Sequence, residues 1–120
     1  MCGIIYARRF DGKAVGEMVA KRYRAQRSRG HAGFGYAAVG EAVAVTRAEI
    51  ERHILEPLTA SRASEILFHH RLPTSTPNVL DATHPIVVSH ASLTHEYYVV
   101  HNGIIDNANK LHATRLYPIE

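Results

Sequence analysis

The residue best suited to chemistry is Cys2, the single cysteine of a 120-residue chain, which stands between Met1 and Gly3. Removal of Met1 would leave Cys2 with a thiol and a free α-amine on one carbon, whose ordinary pKa values are about 8.5 and about 7.7–8. The amine can then take the thiol proton near neutral pH, so no histidine or lysine base is required. The alternative is that Cys2 is a small buried hydrophobic residue, the commoner role of an isolated cysteine.

A second candidate segment is the polar loop 69–77, which follows an apolar strand and carries Arg71, Thr74 and Ser75. A guanidinium at the end of a strand offers a bidentate grip on a carboxylate. The hydroxyls of Thr74 and Ser75 could assist it. Taken alone, Arg71 fits a surface ion pair equally well.

Two further loops carry groups that a plain turn does not need. Asn102-Gly103 offers a side-chain amide and a backbone N–H to one oxyanion, as acyl transfer requires, although Asn-Gly is more often a simple turn. Residues 28–35 contain three glycines in six positions without periodicity. This composition indicates a loop whose backbone lies close to another group.

Hydrophobic periodicity predicts mixed secondary structure in which these loops connect helices and strands. One helix has an apolar stripe of Val15, Met18, Val19 and Tyr23, and a capping box at Thr46 and Glu49 predicts the start of another. In chain order we expect a strand at 3–9, a helix at 13–26, a hairpin of 36–39 and 42–45, a helix ending at Pro57, a strand from Ile66, strands at 86–89 and 97–101, and a short helix through 111–113.

Composition limits the class of protein. The chain is 46% hydrophobic and 21% charged, which predicts one globular domain, 1–120. The absence of a signal sequence, a membrane-length apolar run and a second cysteine predicts a cytoplasmic protein without a membrane role. The net charge of +3 and the basic cluster at 21–29 favour a solvated helix face over nucleic-acid binding. The nine histidines show no metal-ligand spacing, so we expect neither a metal nor another cofactor.

Taken together, five motifs resemble the glutaminase domain of class II glutamine amidotransferases, in the N-terminal-nucleophile (Ntn) hydrolase superfamily. They occur in the family's order and cover most of residues 1–107. The closest match is the last of them. The motifs are Met1-Cys2-Gly3-Ile4, Arg29-Gly30-His31-Ala32-Gly33-Phe34-Gly35, His69-His70-Arg71-Leu72-Pro73-Thr74-Ser75, Thr83-His84-Pro85 and Val100-His101-Asn102-Gly103-Ile104-Ile105-Asp106-Asn107.

The resemblance implies an enzyme that hydrolyses L-glutamine to glutamate and ammonia. Cys2, freed of Met1, would form a glutamyl thioester, with Asn102 and the Gly103 N–H stabilising the oxyanion. Arg71 would hold the substrate α-carboxylate. Three groups of residues would have supporting roles: Thr74 and Ser75 beside Arg71, Arg29 and Gly30 in the loop over the nucleophile, and His84 behind the Arg71 loop.

The implied fold is α+β, an αββα sandwich of antiparallel sheets. The family's fold normally needs more chain than 120 residues, so we expect a minimal or C-terminally truncated version, or a homo- or hetero-oligomer that completes the sheet. The resemblance further implies a separate enzyme, a synthetase or transferase, that accepts the ammonia. The family's acid for the substrate α-ammonium has no counterpart in a matching context, the nearest acids being Asp106 and Glu120.

Three functions stay open at this point. The first is the ammonia-supplying glutaminase. The second is a catalytically impaired relic that regulates or scaffolds a partner. The third is an Ntn amidase acting on another small amide, which the missing acid would permit.

Overall fold

The structure is a computed structural model that describes residues 1–73 and 80–114, with only the backbone described for 112–114. It is an α+β fold with antiparallel sheets, which confirms the predicted class. The described elements are β1 (Gly3–Arg8), α1 (Gly16–Ala25), β2 (Phe34–Val39), β3 (Val43–Ala48), α2 (Glu51–Ala60), β4 (Glu65–His70), β5 (Ile86–Val88), β6 (Tyr97–Val99) and α3 (Ala108–Thr114), with short 3-10 helices at Arg27–Arg29 and Leu80–Ala82.

The larger sheet has four antiparallel strands in the order β1-β4-β2-β3. One face of this sheet packs against α1 and α2, because alternate strand residues point to that side. The core there includes Phe34 and Phe68 from the sheet and Tyr23 from α1, all buried. The Tyr23 ring centroid lies 5.6 Å from each of the two phenylalanine centroids. Aromatic packing therefore fixes α1 against the middle of the sheet.

Helix α1 confirms most of the predicted apolar stripe. Val15, Val19 and Tyr23 are fully buried, whereas Met18 is half exposed. Position 18 lies at the edge of the stripe, where the helix surface turns toward solvent. The Tyr23 hydroxyl donates to Glu51, which links α1 to the first turn of α2.

Two predictions for α2 were wrong. Thr46 belongs to β3, where it pairs with Tyr36, and the helix begins at Glu51 without a side-chain cap. Pro57 lies inside α2, not at its end. A proline there removes one helical N–H donor, but burial of Ile54 and Leu58 holds the surrounding turns against the core.

The smaller sheet pairs β5 with β6 in antiparallel register, Val87 opposite Tyr98. Both strands are shorter than predicted; β5 is partly buried along its length, and β6 is mostly exposed. Residues 100–107 connect β6 to α3, the last described element of the chain. No helix in the described part of the chain is long and apolar enough to cross a membrane.

Candidate active-site cleft

Register in the larger sheet explains how the two ends of the predicted site meet. Gly3 in β1 pairs with His70 in β4, and because these strands are antiparallel, Cys2 is brought beside Arg71. A cleft of about 700 Å³ opens at this corner of the sheet. Five of the residues predicted from sequence line it: Cys2, Arg71, His84, Asn102 and Gly103.

Cys2 is half-buried in this cleft. Its backbone N–H donates to Asn102 Oδ1 at 3.1 Å, and its Sγ lies 3.8 Å from the carbonyl oxygen of Leu72. An N–H donor must face the oxygen end of the amide, so the donor end, Nδ2, points elsewhere. The contact joins residues 100 positions apart in the chain.

Arg71 is buried, with 5% of its surface exposed, and its backbone is fixed by the glycine-rich loop. The Arg71 N–H donates to the Gly33 carbonyl at 2.7 Å, and the Arg71 carbonyl accepts from Ala32 N–H at 3.0 Å. Gly30 lies so close that a Cβ there would be 2.5 Å from the Arg71 carbonyl carbon. The loop therefore acts as a support for the Arg71 backbone.

Of the remaining predicted residues, Arg29, Thr74 and Ser75 are not among the described residues of the cleft, and His84 is one that is. Arg29 is exposed in its 3-10 helix and is not among the described residues that line the cleft, so its role over the nucleophile stays a prediction. Thr74 and Ser75 lie outside the described residues. His84 lines the cleft, where its ring contacts that of His69 at an angle of 45°, with centroids 4.6 Å apart.

His69 is a site residue that the sequence interpretation missed. It is 1% exposed, and neither ring nitrogen has a hydrogen-bond partner among the described residues. Burial, reinforced by the nearby His84 and His70, lowers its pKa to about 3, so the ring is neutral at physiological pH. A usable signal was present, since alternation in a strand puts His69 and Arg71 on one face.

His70 points to the opposite face, as the alternation predicts. Its Nδ1 lies 2.7 Å from the Gly30 carbonyl oxygen, which can only accept, so Nδ1 carries the proton. Nε2 is then the acceptor for the Gln26 side-chain amide at 2.8 Å. Burial lowers the pKa of His70, and this neutral ring joins the end of α1 to the loop that supports Arg71.

Asp106 is a second residue whose position the sequence did not indicate. It supplies the one carboxylate among the described residues that line the cleft. Three histidines, His69, His84 and His101, also line it. No group of three or more His, Cys, Asp or Glu side chains is arranged to hold a metal ion within the described ranges.

Comparison with known proteins gave no relative: no family model, curated protein or solved structure matches the chain.

The cleft combines a thiol, a backbone-fixed amide and a buried guanidinium. A thiol nucleophile, an oxyanion donor and a carboxylate anchor are the groups that acyl transfer from an amino-acid amide requires.

Proposed function

We propose that this chain is a glutaminase of the class II amidotransferase type, which hydrolyses L-glutamine to glutamate and ammonia through Cys2. The observation that carries the proposal is the meeting of Cys2 with Asn102 at 3.1 Å in a cleft that Arg71 and Gly103 also line. These residues come from three distant parts of the sequence, and a plain turn or a surface ion pair does not require their convergence.

The reaction begins once Met1 has been removed and the Cys2 nitrogen is an amine. The amine takes the thiol proton, and Sγ attacks the carboxamide carbon of glutamine. Gly103 N–H and Asn102 Nδ2 donate to the resulting oxyanion. The protonated amine gives its proton to the departing nitrogen, and ammonia leaves a glutamyl thioester. Water then attacks the thioester, with the amine again as base, and glutamate and the free thiol are restored.

Substrate selection rests on the α-carbon groups of glutamine. The Arg71 guanidinium pairs with the α-carboxylate. Asp106 is the acid available for the α-ammonium, because it shares the cleft with Arg71. Asp106 would then bind the α-ammonium from a different sequence position than the acid of the amidotransferase family.

The Ntn-hydrolase architecture is part of the same proposal. The larger sheet with two helices on one face corresponds to one half of an αββα sandwich, which favours this architecture. On the opposite face of β1, Ile4 and Tyr6 are exposed, and a second sheet packed on this face would cover them. β1 is also an edge strand, where a strand from a second chain could pair to complete the sheet. The ammonia would pass to a separate synthetase or transferase.

A steady-state assay of glutamate release tests the function. The Met1-free chain is expected to hydrolyse glutamine, and Cys2→Ala to abolish the reaction. Asparagine and an amide without α-amino and α-carboxyl groups serve as comparison substrates. Preference for the simple amide would favour the other Ntn amidase, and no turnover of any amide would favour the non-catalytic relic.

A further inference from the structure

Residues 83–85 are fixed to the larger sheet from two directions. The Arg47 guanidinium, from β3, donates to the Thr83 carbonyl at 2.9 Å and to the Pro85 carbonyl at 2.6 Å. Gly35, from β2, lets the His84 carbonyl approach so closely that a Cβ at position 35 would lie 2.0 Å from its oxygen. The backbone of His84 is therefore held by β2 and β3 of the larger sheet.

Among the described residues, two contacts position the His84 side chain in the cleft. One is the tilted contact with the His69 ring, whose burial gives it little freedom to move. The other is a hydrogen bond in which His101 N–H donates to His84 Nδ1 at 3.0 Å. A backbone N–H can only donate, so Nδ1 must be unprotonated. This bond exists only while the imidazole is neutral, since both nitrogens of the charged ring are donors.

His101 directly precedes Asn102 and Gly103, the proposed oxyanion donors. Pairing of β6 ends at Val99, so this segment lies beyond the sheet. Two hydrogen bonds between described residues tether it to the rest of the cleft, His101 to His84 and Cys2 to Asn102. The first connects the segment to a point fixed on the sheet.

We propose that His84 is a positioning residue that holds the oxyanion-donor segment 101–103 in place through its neutral Nδ1, and that protonation of this ring releases the segment. The proposal rests on the proposed function for its activity readout, but the hydrogen bond itself can be followed without catalysis. His84 touches none of the reacting atoms. It acts through His101.

The surroundings of His84 favour its neutral form. Burial and the nearby His101 and Arg71 lower its pKa. As the pH falls, the hydrogen bond therefore persists at pH values where an ordinary histidine is already protonated, and it breaks only at a lower pH. The titratable or charged groups around the ring are His69 and Arg71 on the β4 side, Arg47 from β3, His101 on the segment, and the one described carboxylate of the cleft, Asp106.

Two near-isosteric variants separate the roles of the ring nitrogens. His84→Asn keeps an acceptor oxygen near the position of Nδ1, whereas His84→Gln carries its amide near the position of Nε2. We expect His84→Gln and His84→Ala to lower kcat for glutamine between about 10-fold and 100-fold, because the oxyanion donors are displaced, with KM nearly unchanged. His84→Asn should recover most of kcat and lose the acid limb of the pH profile that belongs to His84. Equal losses in His84→Asn and His84→Gln would overturn the proposal.

A readout without turnover is the amide resonance of His101, followed by NMR in the Cys2→Ala chain from about pH 8 down to about pH 3, a range that extends well below the ordinary histidine pKa. The His101 N–H shift should titrate with the same midpoint as the His84 ring, and this titration should vanish in His84→Asn. A His101 amide that does not follow the His84 ring would overturn the positioning role. If the titrations coincide but no variant hydrolyses glutamine, the proposed function fails and the positioning of the segment stands.

Discussion

At the scale of residues, the orientation of Asn102 allows one test of the oxyanion donor. Asn102 already uses Oδ1 to accept from Cys2 N–H, which leaves Nδ2 as the donor end. Asn102→Asp keeps an oxygen for Cys2 and removes the donor. We expect kcat for glutamine to fall about 10²–10³-fold, the usual effect of losing one oxyanion donor, with KM little changed. Steady-state kinetics on the folded variant measure this change. A kcat within a few-fold of the parent value would contradict the assignment of Asn102 as an oxyanion donor.

Arg71 gives a second prediction, on substrate binding. Arg71→Ala should raise KM for glutamine and lower kcat/KM by about 10-fold to 100-fold, because a charge-assisted bond to the α-carboxylate is worth about 1.5–3 kcal/mol. An amide without an α-carboxyl group should be affected much less. Arg52→Ala is the matched control, since the side chain of Arg52 is 74% exposed and pairs only weakly with Glu56. Equal effects on both substrates would indicate a structural role for Arg71.

At the scale of elements, the loop that supports Arg71 has a steric requirement at position 30. A Cβ there would lie 2.5 Å from the Arg71 backbone, which cannot move without disturbing the end of β4. We expect Gly30→Ala to lower the free energy of unfolding by about 1–3 kcal/mol, in the range of overpacking in a dense interior.

Urea denaturation measures this change. Gly40→Ala is the control, because the nearest atom to a Cβ at that position is the Ala42 oxygen at 3.7 Å, an ordinary contact. Similar stability changes in the two variants would show that the close approach at Gly30 is relieved cheaply.

The elements also show what the sequence could and could not predict. Tyr23 and Val19 lie on one helical stripe, so period alone located α1 and its buried face. The capping box at Thr46 failed because the pairing of Thr46 with Tyr36 outweighs a local signal. Pro57 failed as a stop for the same kind of reason, since the burial of Ile54 and Leu58 is tertiary.

At the scale of the whole molecule, buried histidines make stability depend on pH. The pKa of His69 is lowered to about 3, and burial also lowers the pKa values of His70 and His84. At a pH between the folded and unfolded pKa values of these histidines, the unfolded chain binds more protons than the folded chain. The free energy of unfolding therefore falls as the pH drops below about 6.5, the ordinary histidine pKa, and is not reduced by these groups above it.

His69→Phe should remove the largest of these contributions. We expect its unfolding free energy to change about 3 kcal/mol less than that of the parent between about pH 7 and pH 4. At neutral pH the variant should be at least as stable as the parent, because the buried His69 ring nitrogens that it removes have no hydrogen-bond partner among the described residues. His53→Gln, at an exposed position on α2, is the control. A parent-like pH dependence in His69→Phe would contradict the burial argument.

The sequence predicted the candidate-site residues that belong to recognisable motifs, but not those that reach the site only through tertiary packing. Cys2, Arg71 and Asn102 were identified from residue type and context, and the structure brings all three to one cleft. His69 and Arg47 were not identified. The burial of the His69 ring and the hydrogen bonds from Arg47 to the Thr83 and Pro85 carbonyls arise only when β3, β4 and the segment before β5 come together.

The proposed function requires Cys2 to be an activated nucleophile in a cleft that binds glutamine. Its most direct test is the intact mass of the Met1-free chain after exposure to a diazoketone analogue of glutamine. A single adduct on Cys2 is expected, formed more slowly when glutamine is present and much more slowly in Arg71→Ala. No adduct on the folded, Met1-free chain, or an adduct whose rate ignores both glutamine and Arg71, would contradict it.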